Sequence, residues 1–381
     1  MATFRGWNSA FHERPMVRSP RQIAVLALVC AGVACAQDAD TGRVRLWKAR
    51  EWGTESQFGP ASLLLNEGWD ICQFRGNDRR LSRVWGAENW RRLGGTLSHP
   101  LESIRRQGVG DFLLTEFVPS SLEPSRAQWL PNFQLHLLGG GYNSARLEDW
   151  YAANGYAHPG ALAAGTTMGA AVLNEVAELQ GTSTQRSTDP LPDLLFFDPL
   201  GILIFRSDAV RGFFSRDVEM MNWPLQPTLA WPDGRAENAG QSWCLKVRTP
   251  FDGWKGFYHW GLGESFGLSR VLGGSGLAVT AAAGLGAVRM ATAPDGGRTV
   301  EIAPKLGLYL DRENSLLATL QYHHGNADEF VLEVHPGSGS AWPVPVGFWL
   351  HAGGESGLGL GVVGRWGLGL GAVRGERTGE R

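Results

Sequence analysis

Residues 299–310 read TVEIAPKLGLYL, and the alternation in this run decides the fold class. Val300, Ile302, Leu306, Leu308 and Leu310 fall on one side of an extended chain, and Thr299, Glu301, Lys305 and Tyr309 fall on the other. Successive side chains of a strand point to opposite faces, so a period of two marks a strand with one apolar face. Leu316 to Tyr322, Phe330 to Val334 and Val344 to Leu350 repeat the pattern. In the longest run, Leu358, Leu360, Val362, Trp366, Leu368 and Leu370 alternate with Gly359, Gly361, Val363, Arg365, Gly367 and Gly369. Turn residues separate the runs at Asp295-Gly296-Gly297, Asp311-Arg312-Glu313-Asn314 and Gly325-Asn326. Roughly seven strands are expected between Gly256 and Val373, as an antiparallel meander.

Two architectures satisfy a meander that is apolar on one face and small or polar on the other. A soluble sheet buries the apolar face. A bacterial outer-membrane barrel turns that face to lipid and keeps the polar one in its lumen. Several runs reach the roughly 9–11 residues that a membrane strand needs. Trp260, Trp349 and Trp366 supply candidate interfacial aromatics. The expectation is therefore an outer-membrane barrel of about eight to ten strands, in contact with outer-membrane lipid. A soluble periplasmic sheet is the alternative. The charged tail, residues 374–381, departs from the aromatic ending usual in such barrels.

The start of the chain reads as an export signal over residues 1–36. Arg18 and Arg21 precede an apolar run from Ile23 to Val33, followed by Ala34-Cys35-Ala36, with Gln37 opening the mature chain. Met16 is the alternative start, and a lipidated Cys35 the alternative processing. Cleavage leaves Cys72 and Cys244, which can form one disulfide in an oxidising compartment or stay as buried thiols. The formal charge of −2 gives no basis for nucleic-acid binding. No cofactor is assigned: Gly261-x-Gly263-x-x-x-Gly267 has the wrong spacing for a nucleotide loop and no following amphipathic helix.

Between these ends the chain divides into a mixed segment over 37–120, a helical region over 121–219, and a connector rich in Trp and Pro over 220–255. The meander occupies 256–373. Strands are expected at Ser62–Leu65 and Asp111–Val118, and a helical turn at 101–107. Pro131 opens a helix with Asn132 and His136 on one face, and Gly139-Gly140-Gly141 is expected to end or kink it. Pro159 starts a second helix, where Gly165 and Gly169 are spaced for close backbone approach.

Residues 174–205 bring ionisable groups into apolar company. Glu175 and Glu178 lie about one helical turn apart. His136, Asp193 and Asp198 converge on them if the helices pack through Gly165 and Gly169. Such a set can bind a cation, or hold one carboxyl protonated for acid–base work. The plainer reading is a structural polar network of Asn132, Asn174 and Arg186 with these acids. No H-E-x-x-H or comparable metal motif is present.

The stretch from about Pro131 to Phe205 weakly resembles the VanZ-like group of small helical membrane proteins. The residues that carry the resemblance are Asn132 with His136, then Glu175 or Glu178, Gln180, Arg186, Asp193, Asp198 and Gly201. It also resembles uncharacterised Gram-negative envelope proteins in which a β-rich segment follows a helical pair. The resemblance implies a scaffold more than a reaction. The expected fold is α+β. The expected function is an exported, non-enzymatic envelope protein, structural or small-solute-binding. The alternative is a membrane-associated hydrolase or metal-dependent enzyme using His136, Glu175, Glu178, Asp193 and Asp198.

Overall fold

A computed structural model describes residues 42–121, 127–180, 188–292, 298–337, 345–353 and 357–374. The export signal, Arg186 and the charged tail beyond Arg374 lie outside the described residues. The fold is α+β. Helices fill most of the described residues up to Asp217, and a thirteen-stranded mixed sheet follows.

The helices are α1 (Pro60–Gly68), α2 (Ala87–Ser98), α3 (Pro100–Gln107), α4 (Val109–Glu116), α5, α6 (Pro159–Glu178), α7 and α8. Helix α5 is continuous through Trp129–Pro131, a π-helical stretch Asn132–Gly140 and Gly141–Ala153. Helix α7 joins Pro190–Pro192, a π-helical turn Asp193–Phe197 and Asp198–Ile204. Helix α8 joins Asp208–Gly212 to Phe213–Asp217. Among the described residues, no helix is long and apolar enough to cross a membrane.

Two expected strands are helices instead: Ser62–Leu65 lies in α1 and Asp111–Val118 overlaps α4. Short apolar runs carry no period of their own, and here the Pro60 start and tertiary packing decide the outcome. The expected turn at 101–107 is α3. The three glycines at 139–141 do not break α5. They let it pack closely: a Cβ on Gly139 would lie 2.6 Å from the Trp243 ring, and one on Gly141 would lie 2.6 Å from the Gly201 carbonyl oxygen.

The strands are β1 (Met221–Asn222), β2 (Thr228–Ala230), β3 (Arg235–Glu237), β4 (Trp243–Arg248), β5 (Trp254–Trp260), β6 (Gly263–Leu272) and β7 (Leu277–Thr292). They continue as β8 (Arg298–Arg312), β9 (Ser315–His323), β10 (Phe330–Val334), β11 (Val346–Gly353), β12 (Gly357–Gly364) and β13 (Gly369–Arg374). The order is β1-β4-β5-β6-β7-β8-β9-β10-β11-β12-β13-β2-β3. The ladder is thus open between β1 and β3. From β4 to β13 it is an antiparallel meander, as expected. The pairing of β13 with β2 is parallel, which makes the sheet mixed. Nine strands, β5 to β13, occupy the region where roughly seven were expected, because Ala- and Gly-rich runs such as β7 show weak alternation. The expected connector, 220–255, supplies β1 to β4. Pro224 and Pro227 interrupt its pattern, since proline cannot donate to a ladder.

The two faces of β8 separate as its sequence predicts. Ile302, Leu306 and Leu308 are exposed, while Ala303, Gly307, Tyr309 and Asp311 are buried. Strand β12 does the same: Leu358, Leu360 and Val362 point outward, and Gly359, Gly361 and Val363 are buried. Its glycines make room for large inward groups. A Cβ on Gly359 would meet the His351 ring at 1.9 Å, and one on Gly361 would meet Trp349 at 2.5 Å. The buried face holds an aromatic cluster around Trp223, Phe257 and Tyr309. It also holds many polar groups, among them Lys246, His259, Ser265, Ser269, Thr280 and Glu333.

The chain from Gly53 to Arg79 lies against this buried face. Gly53 N–H donates to Pro336, Gln57 pairs with His335, Gly240 N–H donates to Asn66, and Arg79 Nη1 meets Glu237 at 2.5 Å. Cys72 and Cys244 are free and buried in different clusters, so the possible disulfide is not formed.

Asp70 sits in this segment, accepting hydrogen bonds from Gln241 N–H at 3.1 Å and Gln73 Nε2 at 2.9 Å. Burial pushes its carboxyl up to about 8; Glu178 adds to the rise, while the Gln241 hydrogen bond, His136 and Lys305 oppose it. The folded protein therefore binds a proton more tightly at Asp70 than the unfolded chain does. The associated stability is present below about pH 4 and is lost as pH rises through about 8. Asp70→Asn is expected to flatten part of the fall in melting temperature between about pH 5 and 8. A variant whose melting profile keeps the full slope contradicts this.

Candidate metal centre

The site forms where α5, α6 and α7 meet. Helix α5 contributes His136 from its π-helical stretch, and α7 contributes Asp193, which opens its π-helical turn, and Asp198, which directly follows that turn. Proline at 199 has no N–H to give the carbonyl of Leu195, which weakens the α-helical ladder at that turn. π-Helical turns are rare and concentrate at functional sites. Helix α6 contributes Glu175.

Close packing of α5 on α7 sets the geometry. A Cβ on Gly201 would lie 2.4 Å from the Leu137 carbonyl oxygen, and one on Gly140 would lie 3.0 Å from Asp198 Oδ1. The expected contact through Gly165 and Gly169 is not made. A Cβ on Gly165 would face open space, and one on Gly169 would only touch Leu64 at 3.8 Å. Spacing of small residues permits close approach but does not say which helix arrives. Gly201→Ala is expected to cost about 1–3 kcal/mol and to loosen the His136–Asp198 contact. Gly165→Ala is expected to be neutral or stabilising by up to about 1 kcal/mol. Chemical denaturation of the two variants checks the contrast.

His136 Nδ1 lies 3.2 Å from Asp198 Oδ1 and 3.3 Å from Oδ2, while Nε2 lies 3.6 Å from Asp193 Oδ2. The His136 side chain keeps 13% exposure. Glu175 is 1% exposed, and neither of its carboxylate oxygens has a hydrogen-bond partner. Asp193 Oδ1 is likewise buried without one. One ligand atom each from His136, Glu175 and Asp193 lies within 4.8 Å of the others. A second group, Glu175, Glu178 and Asp189, meets the same distance.

The electrostatics follow from burial. Glu175 is raised well above the usual carboxylate range by burial, reinforced by Glu178, Asp193 and Asp189. Burial also raises Asp193 strongly, against the lowering effect of His136. For His136, burial disfavours the imidazolium, but Asp193 and Asp198 outweigh it and hold the ring well above its ordinary value. Glu67 of α1, which sequence reasoning missed, joins the same field: burial and the Asp198 charge raise its carboxyl strongly. A lone glutamate on a short helix carries no signal of this role.

Of the residues singled out in the sequence, His136, Glu175, Asp193 and Asp198 come together. Asn174 Nδ2 donates to Glu178 at 3.0 Å, next to the cluster. Asn132 turns away, with its Nδ2 donating to the Glu116 carbonyl and carboxylate at 3.1 Å. Gln180 accepts the Asp78 N–H. No protein-family model, curated protein or solved structure matches this chain.

Proposed function

We propose that this chain is an outer-membrane β-barrel protein of a Gram-negative envelope, acting as a membrane-held structural or small-solute-binding scaffold. The carrying observation is the inverted sheet, with leucines and phenylalanines exposed on one face and lysine, histidine, glutamate and serine buried on the other. In water that arrangement exposes apolar area on a scale monomeric proteins avoid. In a bilayer it is what a barrel wall requires.

Closure of the ring is part of the proposal. The ladder's open ends meet inside one irregular hairpin: Trp223 N–H donates to Ser242 and Leu225 N–H to Gly240, bridging the β1–β4 and β2–β3 pairings. With β1 and β2 taken as one strand, and β3 and β4 as another, the thirteen segments become eleven. An odd ring must close on one parallel pair, and β13–β2 is parallel. Curvature has its own support. Lys246 of β4 reaches Asp311 of β8 at 2.5 Å, although three strands separate β4 from β8 in the ladder.

The lumen is occupied by the segment from Gly53 to Arg79 and by cross-lumen polar pairs, which favours a scaffold over an open pore. A polar cavity of about 70 Å³ remains, lined by groups including His259, Lys305 and His323. That size suits water or a very small solute. A metal-dependent enzyme is the second reading, favoured by the unpartnered Glu175 beside a histidine that keeps solvent access.

Membrane fractionation with a heat-modifiability gel tests the first reading. The expected result is recovery in outer membranes, with faster migration of the unheated sample. Recovery wholly in the soluble periplasmic fraction overturns it.

A further inference from the structure

We propose that His136 Nε2, Glu175 and Asp193 form a mononuclear site for a divalent transition-metal cation, with Asp198 orienting the histidine. The proposal is independent of where the protein resides, since every residue in it comes from the helices.

Three observations carry it. First, both Glu175 carboxylate oxygens are buried without hydrogen-bond partners, and one of them lies within 4.8 Å of ligand atoms of His136 and Asp193. Buried polar groups are almost always satisfied, so a carboxyl with two idle oxygens either stays protonated or serves a partner that arrives from outside, and a cation is the partner this donor set suits. Second, the histidine is arranged as metal-ligating histidines are. Its Nδ1 faces the Asp198 carboxylate at 3.2 Å, which keeps a proton on Nδ1, so a cation would displace the proton on Nε2, the nitrogen on the Asp193 side. Third, His136 and Asp193 both stand on π-helical stretches, a costly geometry that re-aims side chains at functional positions.

The donor set indicates the class of ion. One imidazole nitrogen and two carboxylate oxygens suit Zn²⁺, Mn²⁺ or Fe²⁺, whereas Ca²⁺ and Mg²⁺ prefer all-oxygen sets. Metal–ligand bonds of about 2.0–2.2 Å at near-tetrahedral angles place ligand atoms about 3.3–3.6 Å apart, so a spread within 4.8 Å closes with a contraction of at most about 1.5 Å. A divalent ion also neutralises the two carboxylates. Three protein ligands leave a coordination position for water or a small oxyanion. The residual exposure of His136 gives that position a route to solvent.

The test uses the full-length protein purified in detergent, stripped with chelator and titrated with Zn²⁺ or Mn²⁺. About one equivalent is expected to bind per chain, with a rise in melting temperature that saturates with the ion. Substituting Co²⁺ is expected to give visible absorption bands of a mixed nitrogen–oxygen set. Asp198→Asn is expected to weaken affinity about 10–100-fold, as loss of an orienting carboxylate does. Glu175→Gln gives the sharpest result. It keeps the size of the side chain and removes its ability to ionise toward a cation, so in chelator it is expected to melt at or above the wild-type temperature, and with metal it is expected to melt below wild type. That crossing does not arise from a merely structural glutamate. The proposal is overturned if stripped wild-type protein shows no stoichiometric binding and no cation-dependent melting shift. It is equally overturned if Glu175→Gln binds as tightly as wild type.

Discussion

Lys246→Met is expected to destabilise the folded protein by about 3–5 kcal/mol, the range for removing one partner of a buried ion pair. Lys246 Nζ lies 2.5 Å from Asp311 Oδ2, and both side chains are 1% exposed. The ammonium also stands 5.5 Å from the centre of the Trp223 ring. Asp311 Oδ1 is already used by the Asn314 N–H, so the carboxylate cannot turn to a new donor without breaking the β8–β9 turn. Methionine keeps the stem length and removes the charge, leaving Asp311 buried and uncompensated. The loss is local in chemistry but wide in effect, because the pair ties β4 to β8 across three intervening strands. Lys246→Met with Asp311→Leu is expected to recover most of the stability, since an apolar pair of similar volume often replaces a buried ion pair without loss. Equilibrium denaturation in detergent measures both. A single-variant loss below about 1 kcal/mol would mean that water reaches Asp311 and that the inner face of the sheet is wetter than its burial implies.

The sheet was legible in the sequence and its orientation was not. Alternation in TVEIAPKLGLYL assigned Ile302, Leu306 and Leu308 to the exposed face and Tyr309 to the buried one, whereas Glu301 near the strand's start is exposed beside Ile302. The same alternation is compatible with an apolar core or an apolar exterior, because period two records that the faces differ and not which one meets solvent. Glycines 359 and 361 held a further clue. Two successive inward glycines imply large partners opposite, and His351 and Trp349 are those partners. The hairpin of β1 to β4 stayed hidden because Pro224 and Pro227 break its ladder and its strands are two to six residues long.

At the candidate site, residue types were legible and geometry was not. His136, Glu175, Asp193 and Asp198 were named from charge in apolar surroundings. Glu178 was named with equal weight, yet Asn174 engages it. Asn132 was placed on the face of His136, but Glu116 captures it. Position along a helix fixes a side chain's direction to about a turn, and the choice among partners is made by packing of elements distant in sequence. The glycine contact shows the same limit: the chain offers Gly165-x-x-x-Gly169 and Gly139-Gly140-Gly141, and only α7's arrival at the second set makes it the close one.

Leu308→Arg separates the membrane reading from a soluble one more cleanly than any change inside the sheet. Leu308 is 53% exposed near the middle of the outward row of β8. Its cross-strand neighbours are Leu320 on β9 and Ala281 on β7, and Leu320 is itself exposed. On a soluble protein, arginine at such a position contacts water and leaves stability within about 0.5 kcal/mol of wild type. On a lipid-facing wall, the guanidinium enters hydrocarbon and costs about 2–4 kcal/mol near the bilayer midplane, falling to about 0–1 near the interfaces. Depth dependence gives the measurement an internal scale. Arginine placed in turn at Ile302, Leu306 and Leu308 is expected to give costs that vary systematically along β8 in phospholipid bilayers and collapse toward zero in urea-free buffer without lipid. Folding titrations into vesicles read the series directly. Three equal and negligible costs would exclude lipid contact for this strand. A graded series would place the bilayer midplane along it and set the side on which the helices, with the His136 cluster, must lie.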